Sequence, residues 1–312
     1  MRRRRFIQVG VAAGTSVAMD PMRVIATEAK SDQAPPEGFR SLFDGKTLDG
    51  WNAVARLPIP PYPDAPFKSP LQGARLEIAK QNTGRWTVED GAIVGGQEPP
   101  GSGNGAYLVS NETFGNFELM MDMKPDWRTD SGFLVRTKPG GSPGIQVLVD
   151  HRPQGGIGGF FGNGLAGVHG MPFVVDAEYD DSGAPIRLIE ARPEANRVER
   201  YKKTRELLTY GAEIDEFLDV WKFGDWNTIK VRCEGRIPTL TTWINGTKIA
   251  VLDLGTIHWP NFDAQACARL LGDKGHISLE VHNSHSRDWL GKNRWWPGAV
   301  VRWKNIYVRE LS

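Results

Sequence analysis

Alternation of apolar and polar residues at period two dominates the chain from Phe39 onward. Trp86–Val94 reads as two short strands joined by Asp90-Gly91, and Thr239–Leu252 as two more joined by Asn245-Gly246, both strong hairpin turn pairs. Phe117–Lys124, Gly132–Thr137, Ile145–Asp150, Thr228–Cys233, His276–His282 and Val300–Arg309 each alternate as strands with one buried face do. Helical spacing occurs at Glu213–Trp221 and at Asp263–Leu271, where Gly272 suits a left-handed cap. Six prolines between Pro58 and Pro70 predict an extended surface loop. Residues 176–225 are charge-dense and break the strand rhythm, which predicts an inserted excursion. Many strands with hairpin signals and only short helices predict an all-β fold: a two-sheet antiparallel jelly-roll sandwich, one domain over residues 35–312.

The same alternation assigns faces. Glu118, Asp122 and Lys124 oppose Leu119, Met121 and Met123; Arg136 opposes Phe133 and Val135; Gln146 and Asp150 oppose Ile145, Val147 and Val149. Glu280 and His282 oppose Ile277, Leu279 and Val281, and Trp243 opposes Leu240 and Ile244. If these strands share one sheet, one face carries carboxylates, an arginine, a histidine and a tryptophan, the groups of a sugar-binding cleft. A solvated sheet face produces the same alternation. The segment from Asp150 to Gly170 holds eight glycines together with Phe160, Phe161, Asn163 and His169. Such a loop lets backbone approach a ligand closely, or makes a tight crossover between strands.

Composition sharpens this picture in three places. Eleven tryptophans beside 36 glycines and 21 prolines fit a loop-rich β architecture with platforms for sugar rings. The formal net charge is +1, and four of the arginines stand at positions 2–5, so the rest of the chain is slightly acidic; this argues against a nucleic-acid partner. Those arginines open an address: Arg3-Arg4-Arg5-Phe6-Ile7 matches the twin-arginine export pattern and is followed by a mildly apolar stretch to Met19. Residues 1–34 are therefore expected to be a signal peptide and leader, and the protein periplasmic or secreted. No segment reaches the ~18 consecutive apolar residues of a transmembrane helix. Cys233 shares a strand face with Ile229 and Val231, so a buried free thiol is simpler than a bond to Cys267.

Phosphate-loop, zinc-protease, serine-hydrolase and calcium-loop motifs are missing. A jelly-roll glucanase is expected to show Glu-x-Asp-x-x-Glu on one strand; here Glu118 and Asp122 are four apart with Met120 between them. What the residues do resemble is the 3-keto-disaccharide hydrolase domain family. Ser41–Trp51 is similar to its entry motif, Trp86–Gly91 to its first hairpin, and Phe114–Leu119, Asp130–Arg136 and Gly224–Asn227 continue the order. Thr242–Gly246, Gly275–His282 and Trp303–Leu311 complete it. One departure is Ile145, where the family usually has a Glu before the Gln of its central strand; the long excursion at 176–225 is another.

The resemblance implies a concanavalin-type lectin or glucanase fold and a carbohydrate substrate oxidised at C3. A ketone at C3 acidifies the proton on C2, so a base can remove it while the C1 oxygen leaves, and water then adds across the double bond. This needs a base, an electrophile for the enolate oxygen and an acid for the leaving group. On this resemblance Asp150 or His151 is expected as base, Arg136 as electrostatic stabiliser and His282 as acid. Glu118, Asp122, Gln146, Asn163, His169, Trp243 and Glu280 are expected to bind substrate. A divalent metal ion held by Asp150, Glu280 or the histidines is an alternative to Arg136 as the electrophile. Two further readings stay open: a non-catalytic lectin-like binding module, and an ordinary glycosidase using Glu118 and Asp122.

Overall fold

A computed structural model describes residues 34–193, 204–259, 262–284 and 293–312. The twin-arginine segment and the leader to Gln33 lie outside the described residues. In chain order the first strands are β1 (Arg40–Ser41), β2 (Trp51–Ala55), β3 (Arg85–Glu89), β4 (Ala92–Gly96), β5 (Ala106–Ser110) and β6 (Phe117–Pro125). There follow β7 (Thr129–Thr137), β8 (Gly144–His151), β9 (Ile157–Asn163), β10 (His169–Gly170), β11 (Val175–Tyr179) and β12 (Pro185–Glu190). The last are β13 (Leu208–Gly211), β14 (Asn227–Glu234), β15 (Thr239–Ile244), β16 (Thr247–Asp253), β17 (His276–Val281) and β18 (Val300–Glu310). Helices are short: α1 (Gly73–Gln81), α2 (Ile214–Leu218) and α3 (Ala264–Leu271).

Two antiparallel sheets make the sandwich. The first runs β13-β16-β15-β14-β6-β18-β4-β3, with β1 paired to β18; the second runs β10-β9-β8-β7-β17-β5-β2. Strands far apart in sequence are paired: β6 lies between β14 and β18, and β7, beside its neighbour β8, also pairs β17. These long crossovers between sheets make the topology a jelly roll rather than a meander. The core forms where the apolar faces meet. Phe133, Val147 and Leu279 of the second sheet and Met121, Val231 and Trp303 of the first belong to one buried cluster, each fully shielded from solvent.

Local chemistry explains the boundaries. Asp90 and Asn245 adopt positive φ and are followed by Gly91 and Gly246 at φ 74 and 90, the geometry a two-residue hairpin needs. Asp263 caps α3 by accepting from the amides of Gln265 and Ala266, and the chain leaves at Gly272 with φ 77. Glu213 and Glu216 form a reciprocal capping box on α2. The excursion resolves into a separate hairpin, β11–β12, followed by β13 at the edge of the first sheet and α2. Cys233 and Cys267 are buried free thiols, and burial pushes both up to about 11. No described helix is long and apolar enough to cross a membrane.

One premise fails. The strands bearing the polar residues do not share a sheet: β6, β14 and β15 belong to the first, β7, β8 and β17 to the second. Period two states which residues of a strand share a face, and is silent on which sheet the strand joins. Glu118, Asp122 and Trp243 therefore stand on the far side of the sandwich from Gln146, Asp150, Glu280 and His282.

Candidate active site

The outer face of the second sheet carries a cleft of about 300 Å³, at the small end for ligand pockets. Gln146, Leu148 and Asp150 of β8 line it because they alternate with the core residues Ile145, Val147 and Val149. Asp130 of β7 is the cross-strand partner of Asp150. Phe161 and Asn163 come from β9 and His169 from β10, so the glycine-dense segment forms one wall. Glu280 lies at the end of β17, fully buried, and the chain continues to His282 on the cleft wall. Gly132 stands between Glu280 and Leu148 in register, at φ 148; a Cβ there would lie 2.1 Å from the Val147 carbonyl, so only glycine fits.

Arginines from outside the sheet complete the floor. Arg56, just past β2, donates from Nε to Glu280 Oε1 at 2.7 Å and from Nη1 to Asn283 Oδ1 at 2.6 Å. Gln146 Nε2 donates to the other Glu280 oxygen. Burial pushes the Glu280 carboxyl up to about 7 against the pull of Arg56. Arg294 Nη1 meets Asp130 Oδ2 at 2.5 Å, and Arg152 holds Asp150 through Nε at 2.7 Å while its Nη2 is 3.6 Å from Asp130. Cross-strand carboxylates are thus kept together by intervening guanidinium groups, without which like charges would repel.

The tautomer of His282 follows from its neighbours. Arg56 Nη2 is 3.1 Å from Nε2, and a guanidinium only donates, so Nε2 accepts. Nδ1 then carries the proton and donates to the Asn283 carbonyl at 2.7 Å. Burial first, then the Arg56 charge, holds this imidazole well below its usual range. With Nε2 facing the Arg56 guanidinium, His282 is placed to accept there rather than to donate, which does not suit the acid role expected of it.

Several expected residues stand elsewhere. His151 points to the opposite face of β8, enclosed by Trp127, Trp221 and Phe223, with Nδ1 at 3.1 Å from the Asp126 carbonyl. Burial brings it down to about 4. Arg136 sits at φ 56, where β7 slips register against β17, so it leaves the cleft face that simple alternation predicts. Its guanidinium donates to the carbonyls of Gly115, Gly272 and Gly235. On the other sheet, Glu118 is engaged by Arg309, with Lys230 and Arg232 at 3.9 Å, and Asp122 accepts from Thr228 and Asn305. Trp243 is covered by Lys230, 4.1 Å from the ring centroid. Of the expected residues, Asp150, Gln146, Asn163, His169, Glu280 and His282 converge; Arg56, Asp130 and Arg294 were missed.

The donors named for a divalent metal are otherwise engaged. Arg152 takes the Asp150 carboxylate, Arg56 and Gln146 take Glu280, and Arg56 faces His282. Among the described residues no three His, Cys, Asp or Glu side chains are grouped to hold an ion. These residues do not fit a metal, and no step below runs through one.

The domain model of the 3-keto-alpha-glucoside-1,2-lyase-like family matches residues 38–309. The chain belongs to that family. It is a carbohydrate-active hydrolase-family domain, and the family match runs through both sheets of the sandwich and the whole cleft. The 3-keto-disaccharide hydrolase of Bacteroides thetaiotaomicron is 31% identical over 115 residues, which make up 35% of this chain and 31% of that protein. The match thus spans under a third of that relative's length. Among solved structures, a protein of Parabacteroides distasonis provisionally assigned as a glycosyl hydrolase aligns with TM-score 0.44 and 18% identity, over 93% of this chain and 99% of that one. The β-glucanase of Bacillus licheniformis aligns with TM-score 0.35 and 11% identity, over 86% of this chain and 97% of that one.

Proposed function

We propose that the cleft cleaves 3-keto-glycosides by elimination followed by hydration. Asp150 takes the proton from C2, and the C2–H electron pair forms a C2=C3 enolate with its charge on the C3 oxygen. The return of the C3 carbonyl moves that pair into C1=C2 as the C1–O bond breaks. Arg56 and Arg294 hold the negative charge that develops on the C3 oxygen, a role in which fixed donors act strongly because they need no reorganisation. His169, on the facing wall, protonates the departing oxygen, and water adds across C1=C2 to complete a net hydrolysis.

The observation that carries this reading is the pairing of each cleft carboxylate with guanidinium, Asp130 with Arg294 and Asp150 with Arg152. A two-carboxylate glycosidase needs one carboxylic acid that reaches the glycosidic oxygen, whereas elimination needs a carboxylate that accepts. Glu280, pushed up to about 7, is fully buried behind Arg56 and Gln146 and does not line the cleft. The partners of Asp130 and Asp150 suit acceptance.

Purified protein should turn over a 3-keto-glucoside and leave the unoxidised parent intact. Asp150→Asn should lower turnover by about 100-fold or more, the scale of a lost general base. Full activity in that variant, with its fold verified by circular dichroism, would remove Asp150 from the mechanism.

A further inference from the structure

A second cavity, of about 660 Å³, adjoins the cleft and is used by nothing described so far. Arg128, Arg152 and Trp296 line it, and no carboxylate is among its described lining residues. Arg128 carries its guanidinium over the Trp296 ring, 4.7 Å from the centroid. Among the described residues its side chain has no ion pair or hydrogen-bond acceptor. Trp296 keeps 54% of its surface exposed, against 36% for Trp259. A cation that lies over one face of a tryptophan still 54% exposed, and pairs with no described carboxylate, is an arrangement that side-chain packing alone does not require.

The backbone ties this cavity to the cleft. Residues 294–296 pair with residues 128–130: the Asp130 amide donates to the Arg294 carbonyl at 2.7 Å and the Trp296 amide to the Arg128 carbonyl at 2.9 Å. Thr129 and Trp295 are bridged between them, and Trp295 is buried. Alternation along this ribbon puts Arg294 and Trp296 on one side, about 7 Å apart along the strand. Arg128 itself adopts φ 69, a conformation a non-glycine residue rarely takes, and the paired ribbon holds it there. Arg152 lines the second cavity while binding Asp150 in the first. A substrate whose reacting ring fills the cleft would therefore place its leaving group over Trp296 and Arg128.

We propose that this cavity is a leaving-group subsite selective for a ring that bears a carboxylate, either a uronate sugar or an aryl acid. Such a ring lays its apolar face on Trp296 and its carboxylate against the Arg128 fork, whose planar donors match a carboxylate. The placement of the leaving group rests on the elimination reading; the anion site itself does not.

The test uses the full-length protein and two 3-keto-glucosides, of 4-hydroxybenzoate and of 4-hydroxybenzamide. The kcat/KM ratio, acid over amide, should be about tenfold higher in the wild type than in Arg128→Gln, the scale of one charge-assisted hydrogen-bonded contact. Raised salt should shrink the wild-type ratio, a readout that needs no variant. In parallel, quenching of tryptophan fluorescence by glucuronate and by 4-hydroxybenzoate, against glucose and 4-hydroxybenzamide, reads binding without turnover and separates the two sources of the acid. Quenching by either acid that Arg128→Gln abolishes supports the subsite even if no 3-keto-glucoside is cleaved, an outcome that would defeat the elimination reading alone. Turnover with the same ratio in wild type and variant, and no acid-specific quenching, overturns the subsite.

Discussion

Replacing His151 by phenylalanine should make the protein less stable at neutral pH and more stable in acid. His151 is 1% exposed, packed edge-on to Trp127 at 5.1 Å and beside Phe223 at 5.2 Å. Phenylalanine keeps those ring contacts and loses the Nδ1 hydrogen bond to the Asp126 carbonyl, which still accepts from Thr129. That loss costs about 1 kcal/mol at any pH. The titration works the other way. The folded pKa is about 4, depressed from the ordinary value of 6.5, so above 6.5 the group contributes nothing that depends on pH. As pH falls from 6.5 towards 4 the unfolded chain binds a proton that the folded one refuses, and stability drops by about 1.4 kcal/mol per unit, roughly 3 kcal/mol in all. By pH 5 the wild type has lost about 2 kcal/mol through this group and the variant nothing, so the curves cross a little below pH 6. Other titrating groups, His282 among them, act alike in both proteins and cancel in the difference. Urea unfolding of both proteins at neutral pH, pH 6 and pH 5 measures it. Parallel stability curves over that range would show that His151 is not held neutral by burial, and the reasoning would fail.

Arg56→Met should cost about 1–3 kcal/mol because the buried Glu280 and Asn283 lose their donor while the Glu280 carboxyl, already pushed up to about 7, takes a proton. Adding Glu280→Gln should restore part of the loss, as a double-mutant cycle by denaturant unfolding would show. Arg136→Met should destabilise by about 3 kcal/mol, since three carbonyls lose their donor, while turnover per folded molecule stays within twofold; a collapse of kcat in folded protein would return Arg136 to the site. Lysines at Arg3 and Arg4 should leave the protein in the cytoplasmic fraction if the leader works as a twin-arginine signal, and unimpaired export of that variant would refute the assignment.

Much of the fold was legible because its strands are amphipathic and its turns carry their own chemistry. Asp90-Gly91 and Asn245-Gly246 announce hairpins, and Asp263 with Gly272 brackets a helix. The cleft was half legible. Gln146, Asp150, Glu280 and His282 were found because each alternates with aliphatic neighbours. Asp130 obeys the same parity with Phe133 and Val135 one register away, and extending β7 by two residues would have found it. Arg56 lies just past β2, and Arg294 lies on a short ribbon paired with residues 128–130 that no predicted strand covered; only the three-dimensional fold brings them to the carboxylates. Arg136 misled because a left-handed residue at a register slip reverses the face that alternation assigns. Glu118 and Asp122 misled because parity does not name the sheet.

The carboxylates of the cleft belong to the sheet, whereas Arg56 and Arg294, two of the cations that face them, arrive on connecting segments more than two hundred residues apart in the chain. Neither half is a site without the other. Strand pairing can be complete while Glu280 and Asp130 still face water, and they acquire their counterions only when both flanks dock. The competent cleft therefore depends on both flanks being docked. Its opening should be a separate and cheaper event than unfolding of the sandwich, visible as earlier exchange of the Arg56 and Trp296 amides, bonded to the Gly105 and Arg128 carbonyls, than of amides within β7, β8 and β17.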